Sequence, residues 1–202
     1  KCTAEILQSM GHRVEEFETD FDPEDILRAV MGGFHLGIAS LDEAAAMMGR
    51  KIDSDTLEPV NLKLYQSGQT LPMSYAGTIF EAMRKVRVAV SIAAKDFDIL
   101  LTPSLPSTAR PHGEFSTTRD DLSAEEYMKG DIRLFQYLGV FNVTGQPSVS
   151  LPLAYGADGL PIGIQLAARF GDEATLVKIA RDLEEAMPWH THIPPVHASR
   201  PR

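Results

Sequence analysis

Residues 148–187 carry the pattern that most constrains the fold of this chain. Apolar residues at positions 149, 151 and 153 alternate with serine or proline, a period of two that predicts a β-strand. A second alternation follows at positions 162, 164 and 166. Between them, Asp158-Gly159 supplies the residues that a tight reversal needs. The pattern predicts two consecutive strands joined by a turn.

A helix is predicted directly after the second strand. Asp172 is a typical N-cap, and apolar residues then recur three or four positions apart up to Met187, before Pro188 ends the helix. The segment before the first strand, residues 141–147, is polar and rich in turn formers, and we interpret it as a loop. Loop, strand, turn, strand and helix together indicate a mixed α/β fold.

The same region contains several short motifs in register. They are N-x-x-G-x-P (Asn142, Gly145, Pro147), S-x-P (Ser150, Pro152), G-L-P-x-G-x-Q (residues 159–165) and D-E-x-x-L (residues 172–176). In this order they resemble the carboxy-terminal segment of the amidase-signature family, which hydrolyses linear amides. Residues 7–15 and 97–103 resemble the family pattern more weakly. Within the family, the region looks most similar to bacterial hydrolases of small amides and cyclic oligoamides.

The resemblance implies an α/β architecture with a mixed β-sheet core covered by helices. It further implies that residues 1–202 are the carboxy-terminal part of a single domain, whose amino-terminal catalytic half is not in this chain. The first ten residues already have a helical pattern with Cys2, Ile6 and Met10 on one face, and no N-cap precedes them. We therefore expect a longer parent protein.

Composition argues against some classes of partner and indicates the cellular compartment. The net charge of −9 argues against nucleic acid, which normally selects a basic surface. The apolar runs are too short to cross a bilayer. The single cysteine rules out an internal disulfide and favours a reducing, cytoplasmic location.

The remaining segments are read from periodicity. A helix starting at Asp22-Pro23 is expected to loosen at Gly32-Gly33, and helix resumes to a C-cap at Gly49. A long helix over residues 76–97 has its predicted apolar stripe at Ala76, Ile79, Phe80, Met83, Val86, Val90, Ala94 and Phe97. A continuous apolar run at residues 98–103 predicts a strand buried on both faces, and residues 103–121 a surface loop.

No catalytic residue is expected in this chain. Members of the resembled family use a Ser–Ser–Lys triad and a glycine-rich oxyanion loop in their amino-terminal half, and no G-G-S-S-G-G-like segment occurs here. Ser148 and Ser150 alternate with apolar residues, so we interpret them as structural. The resemblance implies no cofactor.

Arg87 is the most prominent candidate for substrate binding. It falls inside the predicted apolar stripe, where a guanidinium needs an anion or carbonyl groups as partners. An internal ion pair would also satisfy it, as would a stem that lets the guanidinium reach solvent at the edge of the helix. Transamidating relatives have an arginine in a similar Lys-Val-Arg context that contacts a substrate carboxylate, which implies the same role here.

Four further residues are candidates for the substrate pocket. In the resembled architecture, Asn142, Thr144 and Gln146 lie on a segment that faces the pocket, although their side chains could instead hold the backbone. Phe34 could form a pocket wall or belong to the core. Gln165 lies between apolar residues, so we expect it to satisfy backbone groups.

The histidines near the end form no convincing metal site. His190, His192 and His197 lie in a proline-containing tail (Pro194, Pro195 and Pro201) without a nearby carboxylate or cysteine. We therefore interpret this tail as loosely ordered and expect no metal.

Three functional interpretations remain open. The first is an amidohydrolase acting on a small-molecule amide, completed by its amino-terminal half, with a homodimer as one option for its assembly. The second is the amidase subunit of a tRNA-dependent amidotransferase. The third is a non-catalytic interaction domain derived from the family.

Overall fold

The computed structural model describes residues 2–194 and 196–198. Its elements in chain order are α1 (Cys2–Ser9), α2 (Pro23–Ala39), α3 (Leu41–Met48), α4 (Pro59–Gln69), α5 (Ser74–Ala94), β1 (Ile99–Pro103), α6 (Ala124–Leu134), α7 (Gln136–Thr144), β2 (Ser148–Tyr155), β3 (Pro161–Ala168), α8 (Glu173–Ala186) and a 3₁₀ turn (Trp189–Thr191). No helix within the described residues is both long and apolar enough to cross a membrane.

The chain forms two compact units. Unit 1 comprises the described residues of Lys1–Glu15, Phe97–Ser104 and Gln146–Arg202, and unit 2 comprises Glu16–Asp96 and Leu105–Gly145. The α/β class is therefore confirmed, with all three strands in unit 1 and helices α2–α7 in unit 2.

Unit 1 is built on an antiparallel sheet with strand order β1-β3-β2. The predicted hairpin is confirmed: β2 and β3 pair directly, and Gly159 has the positive φ (76°) expected in their turn. The predicted cap is also confirmed, because the Asp172 carboxylate accepts a hydrogen bond from the Thr175 amide at the start of α8.

The apolar core of unit 1 lies on one face of this sheet. The buried residues that form it are Leu7, Leu151, Leu153, Leu166, Ala168, Leu176, Ile179 and Leu183. They come from α1, β2, β3 and α8. In β1, Ile99 and Leu101 pack partly buried against this core and Leu100 is buried on the opposite face, so the expected burial on both faces is met only in part.

The opposite sheet face combines the buried residues Leu100, Ala167 and Gln165 with several hydroxyl groups. Gln165 donates to the Thr102 hydroxyl at 3.1 Å, and the hydroxyls of Ser104 and Ser150 lie 2.6 Å apart. Gly163 separates the strands that carry the two serines, and a Cβ there would lie 2.8 Å from the Ser104 Oγ and 2.9 Å from the Ser150 Oγ. The sequence predicted backbone partners for Gln165, and the structure gives it a side-chain hydroxyl as a partner.

Unit 2 is organised by the packing of α2 against α5. The expected loosening at Gly32-Gly33 is wrong, because α2 continues without a break to Ala39. A Cβ at Gly32 would lie 2.3 Å from the Ile79 Cγ1, and Ile79 is fully buried. Gly32 therefore allows the two helices to approach closely. The C-cap at Gly49 is confirmed.

The long loop after β1 belongs to unit 2 and is held in place there by side chains of two helices. Lys63 of α4 donates to the carbonyls of Asp120 and Leu122, the latter at 2.7 Å. Tyr127 of α6 donates to the Phe115 carbonyl at 3.1 Å. These bonds supply partners for backbone groups that no sheet or helix satisfies.

The tail after α8 is partly anchored, which corrects its interpretation as loosely ordered. Trp189 packs against the core of unit 1, and the His192 ring lies against Tyr155 with centroids 4.8 Å apart. Lys1, Pro195 and Pro201 lie outside the described residues.

Candidate functional site

The candidate site centres on Arg87 and the carboxy-terminal turn of α7, both in unit 2. The stretch 141–147 is not the loop that we predicted, because α7 runs to Thr144 and only Gly145 to Pro147 lie outside regular structure. Gly145 ends the helix with a left-handed φ of 75°, which a glycine adopts without strain. Asn142, Val143 and Thr144 are therefore the last helical residues.

Arg87 is fixed by the end of this helix. Its Nε donates to the Val143 carbonyl oxygen at 2.7 Å. The carbonyls of the last helical turn have no partner within their own helix and form its negative end, so a guanidinium here is favourable. The bond uses Nε, so the two terminal nitrogens are not needed for this contact.

The expected burial of Arg87 is wrong. The buried face of α5 is formed by Ile79, Ala82, Val86, Val90 and Ala94. At 100° per residue, Arg87 lies at the edge of this face, so its stem reaches α7 while the guanidinium is exposed. Within the described residues Arg87 forms no ion pair. An anchored, exposed guanidinium can bind a carboxylate through two parallel hydrogen bonds.

Two of the other candidates flank Val143, the residue whose carbonyl holds Arg87. Asn142 is exposed on the last turn of α7. Thr144 is half-buried, and its hydroxyl donates to the Phe141 carbonyl at 3.4 Å. Asn142 can offer both an amide donor and a carbonyl acceptor to a ligand.

Phe34 and Gln146 do not join this cluster. Phe34 lies on α2 of unit 2 with 49% of its surface exposed, so it is not a core residue within this chain. Gln146 belongs to unit 1, where its Nε2 donates to the Ala168 carbonyl at 2.9 Å and so holds the entry to β2 against the end of β3.

His35, next to Phe34, is a residue that the sequence did not single out. Its Nε2 lies 3.4 Å from the Ser67 hydroxyl, its Nδ1 is buried without a hydrogen-bond partner among the described residues, and burial lowers the pKa of its imidazole. A neutral ring in this position fastens α2 to α4. It therefore has a structural explanation and adds no chemistry to the site.

Comparison with known proteins gives the family. The amidase family model matches residues 1–177. The putative amidase AmiC of Mycobacterium tuberculosis is 32% identical over an alignment 197 residues long. The alignment covers 92% of this chain and 38% of that protein. The 6-aminohexanoate-cyclic-dimer hydrolase of Paenarthrobacter ureafaciens is 25% identical over an alignment 192 residues long, which covers 92% of this chain and 39% of that protein.

A solved structure supports the same fold. The structure of 6-aminohexanoate cyclic dimer hydrolase complexed with substrate has a TM-score of 0.84 and 22% identity to this chain, and it covers 96% of this chain and 42% of its own. The chain thus spans about two fifths of the length of the curated relatives that it matches. The predicted family is confirmed: the chain belongs to the amidase family.

Proposed function

We propose that this chain is the carboxy-terminal part of a serine amidohydrolase and forms a wall of its substrate pocket. The observation that carries the proposal is the family match over residues 1–177 in a chain that covers only 38% of a relative such as AmiC. Family membership supports amide hydrolysis. The printed sequence has no glycine- and serine-rich segment, which supports a nucleophile on the part of the fold that this chain does not cover.

The proposed reaction needs no cofactor. A serine Oγ, deprotonated by a lysine through a second serine, attacks the amide carbonyl, and backbone amides hold the oxyanion. The C–N bond breaks as the leaving nitrogen takes up a proton, and an acyl-enzyme remains. Water then hydrolyses this ester and returns the serine to its starting state. The chain described here contributes substrate contacts and none of these catalytic groups.

We assign the substrate contacts of unit 2 to Arg87, Asn142 and Thr144, and we retain Phe34 of unit 2 and Gln146 of unit 1 as separate predictions. Arg87 binds a carboxylate of the substrate, because its side chain is exposed while the Val143 carbonyl holds its Nε. Asn142 contributes hydrogen bonds next to it. The preferred substrate is therefore a small amide that also carries a carboxylate.

The location of the nucleophile can be tested on the isolated chain. Purified residues 1–202 are expected to show no amide turnover and no covalent labelling by a fluorophosphonate, measured by intact mass. The same assay on the chain combined with the rest of an amidase fold is expected to give labelling on the other part. A label mapped to a serine within residues 1–202 contradicts the proposal.

The role of Arg87 can be tested in the assembled enzyme. For an amide that carries a carboxylate, Arg87→Ala is expected to raise KM by about 10- to 100-fold, because a hydrogen bond to a charged group contributes about 1.5–3 kcal/mol. A neutral amide of similar size should be hydrolysed nearly as before. Arg181→Ala is the matched control, since Arg181 is an exposed arginine of α8 that bonds Glu185 at 3.0 Å. Equal losses for both substrates would show that Arg87 only holds α7 in place.

A further inference from the structure

Helix α5 has a second apolar surface that nothing in the described chain covers. Phe80, Val88 and Ile92 are 60%, 44% and 64% exposed. Together with Arg84 they follow one another at four-residue intervals and form a ridge on the outside of the helix, which we call the α5 ridge. Such i, i+4 ridges are the surfaces that interlock when two helices pack. From Phe80 to Ile92 the ridge is about 18 Å long, the length of three helical turns.

A groove runs along the carboxy-terminal half of this ridge. Its volume is about 450 Å³, and its floor is formed by Val88, Ala89, Ile92 and Ala93. One side is bordered by the extended segment 16–20, in which acidic residues at positions 16, 18 and 20 are exposed and the residues between them are half-buried. Arg84 and Lys85 also line the groove, so its apolar floor is flanked by two acidic residues and two basic ones.

The charges in the groove are not balanced internally. Arg84 is held by Glu81 through two hydrogen bonds of 2.8 Å, and Lys85 pairs with Asp25 at 3.3 Å. Neither cation is therefore directed to the acidic wall. Glu18 and Asp20 form no ion pair within the part of the chain that the structure describes. An occupant with lysine or arginine along one flank would complement this wall.

We infer that the α5 ridge and its groove bind an amphipathic helix with a basic flank, which belongs to the part of the amidase fold that this chain does not cover. The inference rests on the proposed function, in which that part carries the nucleophile. It is supported by the solved hydrolase, which matches 96% of this chain while more than half of that structure remains unmatched. The additional chain needs an apolar surface on which to pack, and the α5 ridge offers one with three large apolar side chains.

A second copy of this chain is a poorer occupant. In a two-fold symmetric dimer the same patch lies on both sides, so two sets of the carboxylates Glu18 and Asp20 would enter one interface. The chain also carries a net charge of −9, so self-association adds repulsion between copies. A basic-flanked helix from a different polypeptide segment meets neither obstacle.

The test combines this chain with the portion of Mycobacterium tuberculosis AmiC that it does not match, expressed together and purified through a tag on AmiC. A one-to-one complex is expected, and Val88→Glu with Ile92→Glu should weaken it at least 100-fold in sedimentation or titration experiments. Both residues are exposed, so the double variant should keep the melting temperature of the isolated chain. Val177→Glu, at a 68% exposed apolar residue of α8, is the control that should bind normally.

Each other outcome contradicts the inference. A complex that tolerates the double variant places the interface elsewhere. A chain that instead forms dimers sensitive to the same substitutions identifies a second copy as the occupant, and a chain that stays monomeric without binding AmiC has no such docking surface. The proposed function fails separately: a complex that depends on the α5 ridge but hydrolyses no amide would leave the interface intact and remove the activity.

Discussion

Gly32→Ala is expected to lower the free energy of unfolding by about 1–3 kcal/mol, although alanine normally favours a helix. The new methyl group would lie 2.3–2.8 Å from three carbon atoms of Ile79, a fully buried residue of α5. The side chain has no open space into which to turn, so α2 and α5 must separate. Urea denaturation with an unchanged m-value measures the loss.

The same helix provides the control for this substitution. A Cβ at Gly37 meets no atom within 4 Å, so Gly37→Ala should stabilise the protein by up to about 1 kcal/mol. Ile79→Ala removes the atoms that the new methyl group would meet. The loss of stability in the double variant should therefore be at least about 1 kcal/mol smaller than the sum of the losses in the two single variants. Simple additivity would show that the close helix approach is not the cause.

Gly163→Ala is expected to cost about 1–3 kcal/mol in unit 1. The added Cβ would lie 2.8 and 2.9 Å from the hydroxyl oxygens of Ser104 and Ser150, which are themselves hydrogen-bonded at 2.6 Å. The Ser104 amide donates to the Gly163 carbonyl at 2.9 Å and so holds these two residues together, whereas the pairing of β2 with β3 is irregular opposite Gly163.

Removing the two hydroxyls should relieve this strain. In a Ser104→Ala, Ser150→Ala background only the Cβ of residue 104, 3.1 Å away, remains close, so the cost of Gly163→Ala should fall below about 1 kcal/mol. Urea unfolding of the four variants measures the difference. The background itself should be mildly destabilised, since it loses one hydrogen bond of a half-buried pair. An unchanged cost of Gly163→Ala in the new background would assign it to the strand backbone instead.

Only some residues of the candidate site could be predicted from the sequence. Asn142 and Arg87 were identified from short motifs and from a helical wheel, and the structure places Arg87 against the end of the helix that carries Asn142. The wheel was wrong about the burial of Arg87 and Phe80, because it assigns an apolar stripe without knowing where the neighbouring helix lies. The Val143 carbonyl was not identifiable, since a backbone acceptor has no sequence signal.

The sequence by itself determined the hairpin of β2 and β3, the helix α8 after it and the family. A period of two over residues 148–166 and a three-to-four period over residues 173–187 each follow from which side of one element meets water, so they could be read without a partner. The tertiary structure alone decided the meaning of Gly32 and Gly163, and the surroundings of Arg87. These depend on contacts with Ile79, with Ser104 and Ser150, and with Val143, and each contact joins residues 13 to 59 positions apart in the chain. Local periodicity reports which side of a segment is buried, whereas only the packed structure shows which atoms it is buried against.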